Sequence, residues 1–262
     1  MSANTHITIV TPRRGINDEG KGKKHALHFL ISAATTKYVW MQDDDVLLPE
    51  PIEHAELLQL LQQHNADLLI LPLRMVSNQE HPSLLERIQI AEYTAIQQLT
   101  IETAKRGHAV MCSGANLIAH RERWLESYPD IHPDILSGDD MFLLESFKRR
   151  GLKIAVCDDS HYEAIVRPHP SLRGFLKQRM RWAGKAPKYT DRDIIHYGAI
   201  ILIANILQIF CPLILLIKFP IEYRLIKKRE PSTPVHIALF IEILYPFYIL
   251  LSILGGLFRK KW

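Results

Sequence analysis

The chain has 262 residues, of which 47% are hydrophobic and 23% are charged, with a formal net charge of +4. This length suffices for one sizeable globular core with an appendage, and so modest a charge gives no reason to expect a nucleic-acid partner. The three cysteines, Cys112, Cys157 and Cys211, lack metal-ligand spacing and cannot all pair, so we expect reduced, structural thiols. The first residues show no signal peptide or apolar anchor.

Residues 1–190 alternate strand-like and helix-like segments. Ser83 and Glu86 form a capping-box pattern at the start of one long amphipathic helix. The alternation predicts an α/β fold with a mostly parallel sheet flanked by helices. The predicted strands are His6–Thr11, Tyr38–Gln42, Asp67–Leu73, Ala109–Cys112, Leu117–Ala119, Lys153–Val156 and Tyr162–Val166, and the predicted helices are Lys23–Ala34, Glu50–His64, Ser83–Lys105, Met141–Arg150 and Leu172–Trp182.

An acidic triplet, Asp43-Asp44-Asp45, directly follows one of these strands. In α/β folds, ligands bind at the carboxyl ends of strands. Three adjacent carboxylates repel one another unless a cation or hydrogen-bond donors compensate, and their hard oxygens suit Mg²⁺ or Mn²⁺. The triplet therefore indicates either a metal-nucleotide site or a solvated acidic turn, and the sequence leaves both open.

A second acidic pair, Asp139-Asp140, opens a predicted helix. Carboxylates at a helix N-terminus are stabilised by the helix dipole, so the pair is explained either as a cap or as a general base that takes a hydroxyl proton. The small-residue turn Ser113-Gly114-Ala115-Asn116 permits close approach of the backbone to a ligand. The turn Gly20–Lys24 lacks the spacing and the hydroxyl residue of a phosphate loop, which argues against a nucleotide hydrolase.

The segment Gln178-Arg179-Met180-Arg181-Trp182 is a poor core segment, because two unpaired guanidiniums are costly to bury. Arginine offers a fixed, forked donor for phosphate, and tryptophan offers a flat face. The segment is therefore interpreted as a clamp for an anion and a ring.

Two apolar runs make up most of the remaining chain, at about 198–217 and 235–258, and each is long enough to cross a bilayer. The alternative is a pair of buried core helices. If both runs span, the loop between them lies opposite the catalytic part, although it holds Lys218, Arg224, Lys227, Lys228 and Arg229, and positive charge favours the cytoplasm. A hairpin broken near Pro212, or a segment lying in the interface, would remove the conflict.

Taken in order, the glycine-lysine turn, D-x-D after a strand, S-G-A-N, G-D-D, and Q-R-x-R-W before apolar helices resemble glycosyltransferase family 2. The similarity is to its membrane-bound branch, which includes cellulose, chitin, hyaluronan and poly-N-acetylglucosamine synthases. The resemblance implies a GT-A-like (Rossmann-like) catalytic domain over 1–190, followed by a membrane region over 191–262. D-x-D begins early in the chain, so the domain is expected to be N-terminally short.

The resemblance also implies roles for individual residues. Asp43 and Asp45 would bind a divalent cation, Mg²⁺ or Mn²⁺, and Asp140 would be the catalytic base. The implied substrate-binding residues are Asp139, Gly114, Asn116, Gln178, Arg179, Arg181 and Trp182.

The implied reaction is inverting transfer of a hexosyl or N-acetylhexosaminyl group from a nucleotide-sugar, typically UDP-linked, to a saccharide or lipid-linked acceptor. The expected partner besides these substrates is membrane lipid, and the expected location is the inner (plasma) membrane with the catalytic domain in the cytoplasm. Two other hypotheses remain: a catalytically silent remnant or partner subunit, and a metal-dependent phosphotransferase, which leaves Q-R-M-R-W unexplained.

Overall fold

The computed structural model describes residues 6–13, 22–135 and 137–258. The first part of the glycine-lysine turn, Gly20-Lys21, and the basic tail from Arg259 to Trp262 lie outside the described residues. The strands are β1 (Thr8–Val10), β2 (Tyr38–Met41), β3 (Leu68–Ile70), β4 (Leu73–Met75), β5 (Leu117–His120), β6 (Ile154–Val156) and β7 (Ala164–Val166). The helices are α1 (Lys23–Ala33), α2 (His54–Gln63), α3 (Leu84–Lys105), α4 (Arg121–Ser127), α5 (Asp139–Arg149), α6 (Leu172–Ala183), α7 (Arg192–Phe210), α8 (Leu215–Arg229) and α9 (Val235–Phe258).

Five strands form one sheet in the order β1-β2-β5-β3-β6. The pairs β1–β2 and β3–β6 are parallel, and β5 is antiparallel to both of its neighbours. The prediction of an α/β fold with a mostly parallel sheet is confirmed, with one strand reversed. Strand β3 is buried along its whole length, as expected for a strand covered on both faces.

The predicted strand at Ala109–Cys112 is wrong, because the structure assigns no strand to these residues. Ala109, Val110 and Cys112 are nevertheless buried. The apolar character of this run therefore reflects burial of a connecting segment and not pairing in the sheet. Apolarity alone does not distinguish the two in so short a run.

The chain forms two compact units that differ from the predicted division at residue 190. Unit 1 comprises residues 1–73 and 103–166, and unit 2 comprises residues 74–102 and 167–262. Unit 1 contains the five-stranded sheet with a core around Trp40, Leu57 and Ile118. Unit 2 gathers most of α3 with α6 and the apolar helices, because Ala91 of α3 clusters with Ile237 and Ile241 of α9.

The predicted capping box is present at the start of α3. The Ser83 amide donates to Glu86 Oε2 at 2.8 Å, and the Glu86 amide donates to Ser83 Oγ at 3.3 Å. The hydrogen bonds from Ser83 lower the pKa of Glu86, because they favour the ionised carboxylate. This reciprocal pair fixes the first turn of the longest helix outside the apolar runs.

The first predicted apolar run is not one continuous helix. Helix α7 ends at Phe210, a 3₁₀ turn follows at Pro212–Ile214, and α8 begins at Leu215. Pro212 has no amide hydrogen to continue the ladder of α7, which explains the break. The second run coincides with α9. Helices α7 and α9 are long and apolar enough to cross a membrane, judged by length and composition alone.

Candidate functional site

In unit 1, one lysine bridges the two acidic motifs. Lys23 opens α1, Asp43 follows β2, and Asp139 opens α5. Lys23 Nζ lies 2.7 Å from Asp43 Oδ1 and 3.0 Å from Asp139 Oδ2. The neighbouring Lys24 holds the first turn of α1 in place, because its buried ammonium donates to the carbonyls of Ile131 at 2.6 Å and His132 at 2.9 Å.

The charge of this cluster explains the state of the lysine. Burial by itself would lower the pKa of Lys23, but the carboxylates of Asp139, Asp43 and Asp140 overcome burial and raise it. Lys23 is therefore an ammonium at every physiological pH, and its charge offsets the repulsion between the carboxylates. The two acidic motifs, which are almost 100 residues apart in the sequence, meet at a single cation on the chain itself.

Asp140 lies beside this cluster in the first turn of α5. Its Oδ1 accepts the Met141 amide at 2.8 Å, and its Oδ2 accepts the Gly114 amide at 3.4 Å. Both bonds fix the carboxylate, and the side chain is only partly buried. A held, partly accessible carboxylate can accept a proton from a hydroxyl group.

Gly114 allows the turn after residue 112 to approach the cluster closely. A Cβ at this position would lie 3.0 Å from Asp139 Oδ2 and 3.2 Å from Lys23 Nζ. Both distances are shorter than ordinary van der Waals contact, so an added Cβ would require the Asp139 carboxylate or the Lys23 ammonium to move by a few tenths of an ångström. The predicted close approach is present, and the groups approached are Asp139 and Lys23.

Asn116, from the same turn, is a core residue with 1% of its surface exposed. Its Oδ1 accepts Trp40 Nε1–H at 2.8 Å, and its Nδ2 donates to the carbonyls of Pro72 at 2.9 Å and Tyr162 at 3.0 Å. Both amide hydrogens are thus used within the protein. The Asn116 side chain therefore joins three segments of unit 1. Its amide group has no hydrogen left to donate to a substrate.

The predicted metal ligands belong to the same group of carboxylates. Among residues 6–13, 22–135 and 137–258, no group of three or more His, Cys, Asp or Glu side chains converges on a metal-sized point. Asp43 and Asp139 nevertheless point at a single cationic atom, and Asp44 and Asp45 are exposed. Carboxylate oxygens are of the kind that Mg²⁺ or Mn²⁺ prefers, but Asp43 and Asp139 are paired here with the Lys23 ammonium.

In unit 2, the clamp segment lies on α6, and its first arginine is buried. Arg179 is 5% exposed and forms an ion pair with Glu92 of α3 at 2.7 Å through Nη2. Its Nε also donates to both oxygens of Glu92, and Nη1 donates to Gln178 Oε1 at 2.7 Å. The Tyr248 hydroxyl donates to the same Glu92 carboxylate at 3.0 Å. All three guanidinium nitrogens of Arg179 are therefore engaged inside unit 2.

Arg179 also orders the aromatic part of the clamp. Its guanidinium carbon lies 4.1 Å from the ring centre of Trp182 and 4.8 Å from that of Phe175. One face of Trp182 is thus occupied by a cation–π contact, and the side chain is partly exposed. Arg181 is exposed, and the Gln178 amide nitrogen has no hydrogen-bond partner among the described residues.

Two residues of these sites were missed by the sequence interpretation. Lys23 lies in the glycine-lysine turn, which was weighed only as a phosphate loop, although its position at a helix start was visible. Glu92 is one of the polar residues Glu86, Gln89 and Glu92, which recur every three residues on α3 and are all buried. A polar stripe on a buried helix face requires partners, and that was the available signal.

Comparison with known proteins identifies the family of the chain. Among solved structures, the UDP complex of TarS residues 1–349 from S. aureus aligns with 91% of this chain and 73% of that chain at 14% identity, with a TM-score of 0.36. No curated protein matches the chain significantly. The family model described as "Glycosyltransferase like family 2" matches residues 3–185, which is most of the chain. The chain therefore belongs to this glycosyltransferase family.

Proposed function

We propose that the protein is a membrane-associated inverting glycosyltransferase that moves a hexosyl or N-acetylhexosaminyl group from a nucleotide-sugar to an acceptor hydroxyl. The observation that carries the proposal is the meeting of Asp43 and Asp139 at Lys23, with Asp140 adjacent, in a chain of this family. A solvated acidic turn does not explain this cluster, because Asp139 is buried and the lysine bridges both motifs.

Asp140 is the proposed base. Its carboxylate takes the proton of the acceptor hydroxyl, and the resulting oxygen attacks the anomeric carbon from the face opposite the departing nucleotide. The bond from the acceptor oxygen to the sugar forms as the bond to the diphosphate breaks, so the configuration inverts. The two backbone amides that bond Asp140 keep the carboxylate in one orientation and so supply part of the positioning that such a step requires.

The donor side of the reaction requires positive charge. A nucleotide diphosphate bears negative charge that grows as it leaves, and Lys23 is an ammonium held at the carboxylate cluster. Asp43 and Asp45 are the residues that would hold a divalent cation, which would neutralise the diphosphate in the same manner when bound. Lys23 has a flexible side chain that is 31% exposed, so it can turn from the carboxylates to a phosphate.

The clamp segment of unit 2 is assigned to saccharide binding on its own chemistry. The partly exposed ring of Trp182 suits stacking on a sugar ring, and Arg181 with the Gln178 amide nitrogen supplies donors for hydroxyl or phosphate oxygens. Arg179 acts as a positioning residue, because its guanidinium holds both Gln178 and Trp182. The proposed acceptor is a saccharide or a lipid-linked sugar, and the apolar helices in the same unit support a membrane location. The proposed location is the inner (plasma) membrane, with the catalytic part in the cytoplasm.

The test uses the full chain in detergent with Mg²⁺ or Mn²⁺ and a panel of UDP-sugars. We expect UDP release from one donor, loss of release in Asp140→Asn by a factor of roughly 10² to 10⁴, and UDP binding preserved in that variant. Asp134→Asn is the matched control, because Asp134 is an exposed acid in the same unit.

Three other outcomes would change the assignment. Absence of both UDP binding and turnover contradicts the proposal, and binding without turnover identifies a silent family member. Release of UMP from the UDP-sugar, with transfer of the sugar 1-phosphate to the acceptor, identifies a phosphotransferase. Binding of Mn²⁺ by the UDP complex, followed by electron paramagnetic resonance, tests the cation independently of activity, and Asp43→Asn is expected to weaken it.

A further inference from the structure

Helix α9 has one open and one covered side. Phe240, Ile243, Phe247, Leu251 and Leu254 are each 41% to 62% exposed. They recur every three or four residues, so they form a single apolar stripe, called here the open face of α9. A helix surrounded by lipid would be open all round, whereas a helix lying on a bilayer needs only one such stripe.

The covered side contacts α3 and α6 from one end of α9 to the other. Ile237 and Ile241, near the start, cluster with Ala91 of α3. Tyr248, in the middle, stacks on Phe175 of α6 with ring centres 5.4 Å apart. Near the end, Gly256 lies so close to α6 that an added Cβ would be 2.7 Å from the Gly184 amide nitrogen.

These neighbours carry charge that a membrane-spanning α9 would bring into the hydrocarbon. A helix of 24 residues is about 36 Å long, so a spanning α9 would have its centre near Pro246. The Arg179–Glu92 ion pair, which Tyr248 contacts, would then lie close to the midplane, and the exposed ammonium of Lys177 would lie within about one turn of that pair. The ion pair is buried and internally matched, but an exposed ammonium at that depth is strongly disfavoured.

The basic end of α8 also lies beside α3. Lys228 pairs with Glu102 of α3, and Glu230, the next residue after α8, pairs with Arg74 at 3.0 Å. The cations at the end of α8 therefore lie beside α3. The chain must return towards α3 after α7, so these cations do not lie across a membrane from it, and the charge conflict of two spanning helices does not arise.

The turn between α7 and α8 is a second strongly apolar surface. Phe210, Leu213, Leu216 and Ile217 around this turn are 69% to 81% exposed. We propose that unit 2 is an interfacial membrane anchor: this turn and the open face of α9 enter a single leaflet, and α9 lies parallel to the bilayer plane without crossing it. Arg173 and Lys177, exposed on α6, supply cations at headgroup level, so the fitting partner is a bilayer containing anionic lipids.

The test measures depth along the open face. Single cysteines replace Phe240, Phe247 and Leu254 of the full chain with Cys211→Ser as background, because Cys112 and Cys157 are buried and Cys211 is exposed. Nitroxide labels are compared for quenching by oxygen and by a water-soluble nickel complex in vesicles. We expect equal depths, about 5–10 Å below the headgroup boundary. A label at Leu84, an exposed leucine on α3, is the aqueous control.

Two depth profiles overturn the proposal. A deep label at Phe247 with shallower labels at Phe240 and Leu254 indicates a spanning helix. Full accessibility of all three labels to the nickel complex indicates that lipid does not contact the open face.

A second measurement tests the lipid charge. Arg173→Gln and Lys177→Gln are each expected to weaken binding to vesicles containing phosphatidylglycerol by roughly fivefold, with little change on neutral vesicles. Arg123→Gln is the matched control, because Arg123 is a similarly exposed arginine in unit 1. Losses no larger than that of the control contradict the assigned contact with headgroups.

Discussion

The two arginines of the clamp segment are expected to respond differently to substitution. Replacing Arg179 should lower the free energy of unfolding, whereas replacing Arg181 should lower sugar transfer alone. Replacing Arg179 by methionine leaves the Glu92 carboxylate, whose side chain is 5% exposed, with only the Tyr248 hydroxyl as a partner. Loss of one member of a buried ion pair costs about 3–5 kcal/mol in the free energy of unfolding. At roughly 2–4 °C per kcal/mol for a chain of this size, the midpoint of thermal unfolding should fall by about 6–20 °C. Arg181→Met, at an exposed position, should change the free energy of unfolding by no more than about 0.5 kcal/mol.

The assay combines thermal unfolding in detergent with sugar transfer measured well below both midpoints. The double variant Arg179→Met/Glu92→Leu removes both charges and should regain most of the lost stability. Its transfer should remain low with an altered KM for acceptor, because Gln178 and Trp182 have lost the guanidinium that orients them. Arg181→Met should lose transfer with unchanged stability. A normal unfolding midpoint for Arg179→Met together with loss of UDP-sugar binding would refute the positioning role and make Arg179 a substrate contact.

Three further predictions follow from single contacts. Gly114→Ala should reduce transfer on the order of tenfold or more, because its Cβ would displace Asp139 or Lys23. Gly198→Ala is the control and should keep activity, because a Cβ there meets nothing within 4 Å. Equal activity in the two variants would count against a role for the cluster in transfer. Asn116→Ala should lower the free energy of unfolding by at least about 2 kcal/mol, because it leaves buried partners in three segments unsatisfied; a selective loss of donor binding at unchanged stability would instead restore its predicted substrate role. The pKa of Glu86 is lowered in the folded protein, so the contribution of its carboxylate to stability is complete above the ordinary value of 4.5 and is lost as the pH falls through the lower folded value. Unfolding midpoints between pH 6 and pH 3 should therefore decline more steeply in the wild type than in Glu86→Gln. Parallel curves would show that the capping box does not titrate.

The sequence predicted most of the elements because their signals are local. Strand β2, helix α1 and the capping box at Ser83 each follow from residues within a few positions of one another, and the structure confirms them. The failures also have a local cause. The apolar run Ala109–Cys112 has the composition of a strand but pairs with none. The break near Pro212, by contrast, was one of the two predicted alternatives, and it is present between α7 and α8.

The candidate site was foreseen only in its residue types. Asp43, Asp139 and Asp140 were identified from their motifs, but the lysine that joins two of them was not, since nothing in the local pattern shows which of several lysines in that turn will reach a distant carboxylate. Likewise, Arg179 and Arg181 are equivalent donors in the sequence. Their difference arises from Glu92, which lies 87 residues earlier.

The sequence by itself determined the order of strands and helices, the acidic motifs and the apolar runs, because each depends on neighbouring side chains and on periodicity. Only the tertiary structure decided which charges are paired. Lys23 contacts Asp43 at 2.7 Å and is a shared counter-ion of the carboxylates. Arg179 is buried, contacts Glu92 at 2.7 Å, and supports the clamp from inside unit 2. The tertiary structure also showed that α9 has one covered side, which the mostly apolar sequence of this helix does not indicate. Pairing and cover depend on contacts between segments far apart in the chain, and no local pattern encodes them.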